Sequence, residues 1–221
     1  MMLIQPKQPP KRDGIDLRCC SCTDMDWPEA DLVIADPPWT YDLRIGGVNA
    51  DDHYACVSTD DIAKMLLPVR RRAPLMSLWI TWPLLSEWWA AWTGDRPVTG
   101  LAWTKSDAGD SGHYGTGYWA AGCSEPVLLY STGGGYCDRS VTLRNAWIEA
   151  PGVHSRKPAA WQAQMIRRWV PEGGLVLDPF AGLGSVAEAV LLAGGGRRYL
   201  GTEIDPERHA AALALLAQVR A

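Results

Sequence analysis

The most informative stretch of the sequence is Leu32-Val33-Ile34-Ala35-Asp36-Pro37-Pro38-Trp39. Its apolar residues include two β-branched side chains and predict a fully buried strand over residues 32–35. Because proline cannot donate to a sheet ladder, the strand must end at Asp36. Pro37 also pushes Asp36 out of the α region. The stretch therefore predicts a stiff corner at the carboxyl end of a buried strand, where open α/β sheets bind their ligands.

The groups at this corner suit an aromatic amine. Asp36 and the carbonyl of Pro37 can each accept a hydrogen bond from an exocyclic NH2 group, and Trp39 can stack on the ring that carries it. The amine of adenine is a poor nucleophile, and two acceptors favour a pyramidal nitrogen whose lone pair points out of the plane. The alternative interpretation is a strand followed by a proline-rich turn without chemistry.

Length, composition and charge limit the classes of protein that need considering. The chain has 221 residues, 47 % of them hydrophobic, which suits one α/β domain over residues 14–221 after a flexible arm over residues 1–13. No apolar run approaches the ~20 residues of a membrane span, and the amino terminus has no apolar signal segment. We therefore expect a cytoplasmic protein with no membrane partner. The net charge of -4 argues against a broadly basic coat for nucleic acid, although a local basic face is compatible with it.

The cysteines do not follow a metal-site pattern. Cys19, Cys20 and Cys22 cluster without a second spaced pair, so no metal site is expected. Buried reduced thiols are the expectation for a cytosolic protein.

Alternation of apolar and polar runs predicts a sheet flanked by helices. Strands are expected over 15–20, 32–35, 74–82, 98–104, 127–130, 147–150, 175–178 and 198–202. Helices are expected after an N-cap at Ser58 and over 84–92, 159–170, 186–193 and 208–219. The tryptophans of 84–92 are expected in the core. Two polar, glycine-bearing loops, 40–55 and 105–117, are candidates for a lid and for contacts of Lys105, His113 and Tyr114 with the substrate backbone.

A second corner follows the strand over 175–178. The run Asp178-Pro179-Phe180-Ala181-Gly182-Leu183-Gly184-Ser185 leads into a helix, and a strand, glycine-rich turn and helix form the nucleotide-cofactor corner of Rossmann-like folds. Glu203, after the next strand, is placed to accept hydrogen bonds from a ribose diol, whereas Asp205 caps the last helix before Pro206.

Several nucleotide cofactors are compatible with this second corner. A flavin or nicotinamide site can also use a Gly-x-Gly turn, but Ala187 stands where the dinucleotide fingerprint has its third glycine. A single-nucleotide cofactor leaves room for the Asp36 corner on the same sheet edge. S-adenosylmethionine fits, since it joins adenosine to a short amino acid and carries an electrophilic methyl group.

The order of the two corners resembles that of amino-methyltransferases, with Asp36-Pro37-Pro38-Trp39 before Asp178-Pro179-Phe180-Ala181-Gly182. The tryptophan after the two prolines is similar to the messenger-RNA adenosine methyltransferase (MT-A type) family and its bacterial and phage DNA-modifying relatives. Further pieces match in order from Asp31 onward: Tyr54, Ser58-Thr59-Asp60-Asp61-Ile62, Leu78-Trp79-Ile80-Thr81, Trp103-Thr104-Lys105, Gly117-Tyr118-Trp119, Ser124-Glu125 and Ser155-Arg156-Lys157-Pro158.

The resemblance implies a Rossmann-like class I methyltransferase with permuted motif order and a mixed, mostly parallel sheet. It implies methyl transfer from S-adenosylmethionine to the 6-amino group of adenine by in-line displacement without a metal. The catalytic residues would be Asp36, Pro37, Pro38 and Trp39, with Trp39 stacked on a flipped base. The implied cofactor residues are Asp36, Lys157 (pairing with the cofactor carboxylate), Asp178, Pro179, Phe180, Gly182, Gly184, Ser185 and Glu203, with Cys20 or Ser21 bordering its adenine. The implied substrate residues are Trp39, Tyr54 and Lys105.

Several alternatives stay open beside this interpretation. The intact glycine corner is like that of bacterial DNA adenine methyltransferases, which favours DNA over RNA. Cytosine 4-amino methyltransferases use a similar corner but usually have Ser at the position of Asp36. A catalytically inactive binding subunit would lose the acid or the glycines, and this chain keeps both. A homodimer or a partner subunit is open, because no long insert for target recognition is visible.

Overall fold

The strands of the computed structural model, which describes residues 13–40, 56–105, 123–150 and 156–219, form one sheet. They are β1 (Ile15–Cys19), β2 (Leu32–Ala35), β3 (Leu75–Trp79), β4 (Pro97–Thr104), β5 (Ser124–Ser131), β6 (Ala146–Ile148), β7 (Leu175–Asp178) and β8 (Arg198–Glu203). Their order is β1-β8-β7-β2-β3-β5-β4-β6, and β5 runs antiparallel to the others of these strands. The predicted mixed, mostly parallel sheet is confirmed.

Helices flank the sheet: α1 (Thr59–Arg70), α2 (Leu85–Ala91), α3 (Ala159–Trp169), α4 (Ser185–Ala193) and α5 (Pro206–Leu216). The predicted N-cap of α1 is confirmed, since Ser58 Oγ accepts a hydrogen bond from the amide of Asp61 at 3.2 Å. Asp205 caps α5, because its side chain accepts from the amides of Glu207 and Arg208. Each helix of the described ranges is too short or too polar to span a bilayer.

The central strand β2 is covered on both faces, as its unbroken apolar run predicts. Its four residues have no exposed surface. Leu32 and Ile34 pack in the cluster that contains α3 and α4, and Val33 and Ala35 pack in the cluster that contains α1 and α2. Alternate side chains of a strand point to opposite faces, so this run can be apolar throughout.

The tryptophans near α2 divide between core and surface. Trp88 is fully buried and its Nε1 donates to the hydroxyl of Tyr130 at 2.7 Å, and Trp92 is 9 % exposed. Trp89 is 57 % exposed, so the prediction of a core position is wrong for this residue. The strand predicted over 74–82 ends at Trp79, since a short 3-10 helix over Trp82–Leu84 contains Pro83 and leads into α2.

The two corners lie where the chain leaves neighbouring strands in opposite directions. β2 and β7 pair in parallel, with Leu32 beside Val176 and Val33 beside Leu177. From β2 the chain passes through α1 to β3 on one side, and from β7 it passes through α4 to β8 on the other. Their carboxyl ends therefore form a topological switch point, the usual ligand crevice of open α/β sheets.

Parts of the chain carry predictions that lie outside the described residues. These are the arm, the candidate lid from residue 41 onward, Tyr54, His113 and Tyr114.

Candidate active site

Acidic and basic side chains from several strands meet at one edge of the sheet. Asp36, Asp178 and Glu203 follow or end the parallel strands β2, β7 and β8, and Lys105 follows β4. Glu125 reaches the same edge from the other direction, because it lies at the beginning of the antiparallel strand β5.

Asp36 forms an ion pair with Lys157, which lies just before α3. Lys157 Nζ is 3.0 Å from Asp36 Oδ2 and 2.9 Å from Glu125 Oε2, and it lies 5.4 Å from the centre of the Trp79 ring. Burial raises the pKa of Asp36 above its ordinary value, although the nearby Lys157 opposes this shift. Burial alone would lower the pKa of Lys157, but the two carboxylates raise it more, so the net shift is upward and the ammonium stays charged. An ammonium group has three N–H donors, so these two contacts leave one donor for a ligand. The pairing of Lys157 with a cofactor carboxylate stays a prediction.

Glu125 joins this ion pair to a second lysine. Its Oε1 pairs with Lys105 Nζ, and the Lys105 ammonium lies 5.2 Å from the centre of the Trp103 ring. Burial alone would raise the pKa of Glu125, but Lys157 and Lys105 lower it by a larger amount. The pKa is therefore below its ordinary value, and Glu125 stays ionised. We call the sequence Asp36–Lys157–Glu125–Lys105 the charge row; its formal charges cancel. The predicted contact of Lys105 with substrate stays a prediction, since in this structure its ammonium faces Glu125.

Sequence reasoning gives no role to Glu125. In the sequence, Ser124-Glu125 is only one of the segments that resemble the methyltransferase family. The feature that could have identified Glu125 is a carboxylate at the beginning of an otherwise apolar strand. Glu125 is 13 % exposed at its side chain, and a carboxylate so placed needs a cationic partner.

The proline corner itself is tightly hydrogen-bonded. The Pro37 carbonyl accepts from the amide of Trp39 at 2.9 Å, and the Pro38 carbonyl accepts from the amide of Val57 at 2.9 Å. A carbonyl oxygen has two lone pairs, so Pro37 keeps one acceptor position for an incoming amine. The role predicted for Pro37 is compatible with this position and stays a prediction.

Trp39 lies in the core. It is 3 % exposed, its Nε1 donates to the carbonyl of Trp79 at 3.0 Å, and its ring meets that of Trp88 edge-on at 5.6 Å. In this conformation the carbonyl of Trp79 and the ring of Trp88 lie against the Trp39 ring. Stacking of Trp39 on a flipped base stays a prediction that requires the ring to be uncovered.

The second corner is organised by Asp178. Its Oδ1 accepts from the amide of Phe180 at 3.2 Å and its Oδ2 accepts from the hydroxyl of Tyr199 at 3.0 Å. Tyr199 reaches Asp178 by lying across Gly201, where a Cβ would be 2.0 Å from the tyrosine hydroxyl. Burial raises the pKa of Asp178 to about 7. Asp178 thus fixes the beginning of the glycine turn through its hydrogen bond with the amide of Phe180. Pro179 contributes its carbonyl, which accepts from Thr202 Oγ1 at 2.9 Å.

The glycine turn presents open backbone in front of α4. Gly182 and Gly184 have φ of +52° and +78°, in the left-handed region that favours glycine. A Cβ on Gly182 would meet nothing within 4 Å, whereas one on Gly184 would lie 3.4 Å from Ala212 of α5. Gly182 therefore faces free space that a ligand can approach, and Gly184 packs against a helix. Ser185 is the first residue of α4.

Glu203 fixes the turn from the neighbouring strand. Its Oε2 accepts from the amide of Gly182 at 2.8 Å, and its Oε1 accepts from the amide of Asp205 at 2.9 Å. Carboxylate oxygens have further lone pairs, so hydrogen bonds from a ribose remain compatible with these contacts. Ile204 follows with 70 % exposure, and no sequence pattern singles it out. An exposed isoleucine beside Glu203 offers an apolar surface to a flat ring.

The cysteine cluster lies beside this corner on the edge strand β1. The amide of Cys20 donates to the carbonyl of Glu203 at 3.1 Å, which brings Cys20 close to the position where a nucleoside is expected. Ser21 Oγ caps a short 3-10 helix. The thiols are reduced, with Cys22 buried but Cys19 and Cys137 exposed, contrary to the expectation of buried thiols. Within the described ranges, His, Cys, Asp and Glu form no group of three that could hold a metal ion.

The fold and part of the sequence are similar to those of known methyltransferases. Residues 125–214 match the DNA methylase family N6_N4_Mtase. "Putative methylase YubD" of Escherichia coli (strain K12) is 25 % identical over 201 residues, which cover 86 % of this chain and 83 % of the relative.

Three solved structures have the same fold. The M1.HpyAVI–SAM complex is 15 % identical, covers 91 % of this chain and 99 % of its own, and has a TM-score of 0.66. TTHA0409 of Thermus thermophilus, complexed with S-adenosyl-L-methionine, is 20 % identical, with coverages of 92 % and 93 % and a TM-score of 0.66. PvuII DNA methyltransferase, which is cytosine-N4-specific, is 15 % identical, with coverages of 94 % and 89 % and a TM-score of 0.67.

The chain therefore has the fold of the class I methyltransferases, as predicted. The sequence over residues 125–214 is similar to that of the DNA methylases that N6_N4_Mtase describes. The narrower likeness to the messenger-RNA adenosine methyltransferases stays a prediction.

Proposed function

We propose that this protein transfers a methyl group from S-adenosylmethionine to an exocyclic amine of a base in DNA, and that the target is the 6-amino group of adenine. One observation carries the proposal: Asp36 and the open glycine turn at Gly182 follow the paired strands β2 and β7 at the switch point of the sheet. A nucleotide-binding turn beside a carboxylate is the arrangement that an amino-methyltransferase needs.

Residues of the second corner fit the cofactor. Gly182 offers backbone that a ligand can approach closely, Glu203 offers acceptors for the ribose diol, and the exposed Ile204 offers an apolar surface to the adenine ring. Lys157 keeps one donor for the cofactor's carboxylate. When bound, S-adenosylmethionine supplies an electrophilic methyl group.

Asp36 acts on the target amine. Its carboxylate, with 35 % of the side chain exposed, accepts a hydrogen bond from the NH2 group, which orients the nitrogen and favours the pyramidal form. Lys157, 3.0 Å away, holds Asp36 in one position. Because the pKa of Asp36 is raised by burial, its Oδ atoms accept a proton from the nitrogen more readily than a fully solvated aspartate does.

The preference for DNA is supported by the relation of residues 125–214 to DNA methylases. The same reaction on RNA adenosine is the alternative for substrate, and it rests on the sequence Asp36-Pro37-Pro38-Trp39. Recognition of DNA by this chain, alone or together with a second copy or a partner subunit, is also part of this proposal.

Cytosine is a second candidate target because the cytosine-N4-specific PvuII enzyme shares the fold with a TM-score of 0.67. Asp at position 36, where cytosine enzymes usually have Ser, favours adenine.

Incubation of the protein with labelled S-adenosylmethionine and DNA or RNA, followed by digestion to nucleosides and mass analysis, tests the proposal. Label in N6-methyldeoxyadenosine is expected. Label in N4-methyldeoxycytidine would identify cytosine as the target base, and label in RNA adenosine would identify RNA as the substrate. Cofactor binding without transfer to any of these would indicate an inactive binding subunit.

A further inference from the structure

An exposed tryptophan lies at the same edge of the sheet as the charge row. Trp82 begins the short 3-10 helix that follows β3 and is 52 % exposed. Its Nε1 donates to Ser124 Oγ at 3.0 Å, and Ser124 is the neighbour of Glu125. The polar edge of the indole is therefore anchored while much of its apolar surface faces solvent.

The strand register places Trp82 relative to Asp36. Leu78 of β3 lies beside Ala35 of β2, so Asp36 is one residue beyond this pair and Trp82 is four residues beyond it. The amide of Ile80 donates to the carbonyl of Pro126 at 3.1 Å, which extends the pairing of β3 with β5 toward the edge. At about 3.3 Å per residue, Trp82 lies roughly 10 Å farther out than Asp36. A backbone offset of this size along the strand direction suits contact with a nucleotide beside the target base.

We propose that Trp82 stacks on a base of the nucleic acid adjacent to the target base. The inference rests on the proposed function, since it requires a nucleic-acid substrate at the charge row. Every base has an aromatic face, so a stacking contact of this kind needs no particular sequence.

The anchoring of Trp82 suits this role. A side chain already held by the hydrogen bond to Ser124 loses little conformational freedom when a base stacks on it. The contact is also uncharged. A chain with a net charge of -4 gains less from phosphate contacts than a basic protein does, so aromatic stacking contributes a larger part of its affinity.

Trp89 provides a matched control. It is 57 % exposed and lies in the second half of α2, which ends beside α1: Trp92 donates to the carbonyl of Asp95, and Asp95 pairs with Arg70. Its neighbour Trp88 bonds Tyr130, which pairs with Met76 near the beginning of β3, and the buried Trp88 ring also meets that of Trp39 edge-on. Removal of Trp89 therefore removes a comparable exposed ring from α2, whereas Trp82 is bonded to Ser124 beside the charge row.

The test measures binding of fluorescein-labelled, adenine-containing DNA oligonucleotides, single-stranded and duplex, to the full chain and its variants. Trp82→Ala is expected to weaken binding roughly tenfold with an unchanged dependence on salt, because a stacking contact releases no counterions. Trp82→Phe keeps an aromatic face without the N–H group and is expected to keep most of the affinity. Trp89→Ala should leave the affinity unchanged.

Calorimetric titration with S-adenosylmethionine separates this inference from the proposed function, because all of these variants should bind the cofactor like the wild type. If the wild type methylates DNA and Trp82→Ala binds it equally well, the role of Trp82 is wrong and the proposed function stands. Equal losses in Trp82→Ala and Trp82→Phe would also overturn stacking, since they would assign the effect to the hydrogen bond with Ser124. A wild type that transfers no methyl group to nucleic acid would remove both proposals.

Discussion

Lys157 Nζ lies 3.0 Å from Oδ2 of Asp36, so the carboxylate proposed to act on the substrate is already paired with a cation. Lys157 is in turn held by Glu125 at 2.9 Å. The position of the reactive carboxylate therefore depends on residues of three separate chain segments.

Asp36→Asn should lower kcat for methyl transfer by about 10²–10³-fold, the usual cost of losing one well-placed electrostatic contact in the transition state. Asparagine has the same shape, so the circular dichroism spectrum should keep the features of the folded protein. Transfer of labelled methyl groups measures the rate. Turnover equal to that of the wild type would exclude Asp36 from the reaction.

Glu125→Gln should lower the free energy of unfolding by about 1–3 kcal/mol, because two largely buried lysines lose a shared charged acceptor. Adding Lys105→Met restores the balance of charge, so the double variant should be more stable than the sum of the single effects predicts. Urea unfolding of the wild type, both single variants and the double variant measures this coupling. Purely additive effects would mean that the charge row does not act as a unit.

Gly182→Ala should weaken cofactor binding at least tenfold, since the added methyl group fills the space that the ligand approaches. Gly194→Ala is the matched control: Gly194 also has positive φ, +65° against +52°, and also has nothing within 4 Å of a built Cβ. Each substitution should cost about 1–2 kcal/mol of stability. Calorimetry with S-adenosylmethionine should show the loss of affinity in Gly182→Ala alone, and equal losses in both would contradict the proposed cofactor position.

Glu203→Gln should weaken S-adenosylmethionine binding roughly ten- to a hundredfold, because hydrogen bonds to a charged acceptor contribute about 1.5–3 kcal/mol. The variant also loosens the turn, since Glu203 Oε2 accepts from Gly182. Asp205→Asn keeps a good N-cap on α5 and should bind the cofactor normally. A comparable loss of cofactor affinity in the two variants would contradict a direct contact between Glu203 and the ribose.

The pKa of Asp178 is raised to about 7 by burial, against an ordinary value of 3.8. Between about pH 4 and pH 7 the native protein therefore binds a proton that the unfolded chain has released. This group's contribution to stability is complete below the ordinary pKa and is lost as pH rises through the native one. Tyr199 lowers this pKa by its hydrogen bond, so Tyr199→Phe should move the upper limit of the window to higher pH.

Urea unfolding at several pH values tests the role of Asp178. Asp178→Asn cannot titrate, and its free energy of unfolding should fall less between pH 4 and pH 7 than that of the wild type. Identical pH dependence in the two proteins would contradict the buried, protonated state of Asp178.

The two corners could be predicted because local chemistry determines them. Proline after Asp36 ends β2, and glycines after Phe180 begin the turn to α4, whatever the rest of the chain does. The caps at Ser58 and Asp205 are local for the same reason.

The contacts between distant segments could not be predicted in this way. Glu125 meets Lys157 because β5 is antiparallel and begins at the edge where its parallel neighbours end, which no local pattern reveals. Trp39 is buried because Trp79 and Trp88, far along the chain, lie against it. Sequence reasoning therefore identified most candidate residues but not their partners.

The pairing of β2 with β7 has a consequence for folding during synthesis. Leu32 and Val176 are neighbours in the sheet, as are Ile15 and Tyr199 of β1 and β8, so β1 and β2 pair with strands that are synthesised more than 140 residues later. Contacts so distant in sequence form slowly. Until then the nascent polypeptide exposes an apolar strand edge, and the reactive crevice cannot assemble before β7 has been synthesised.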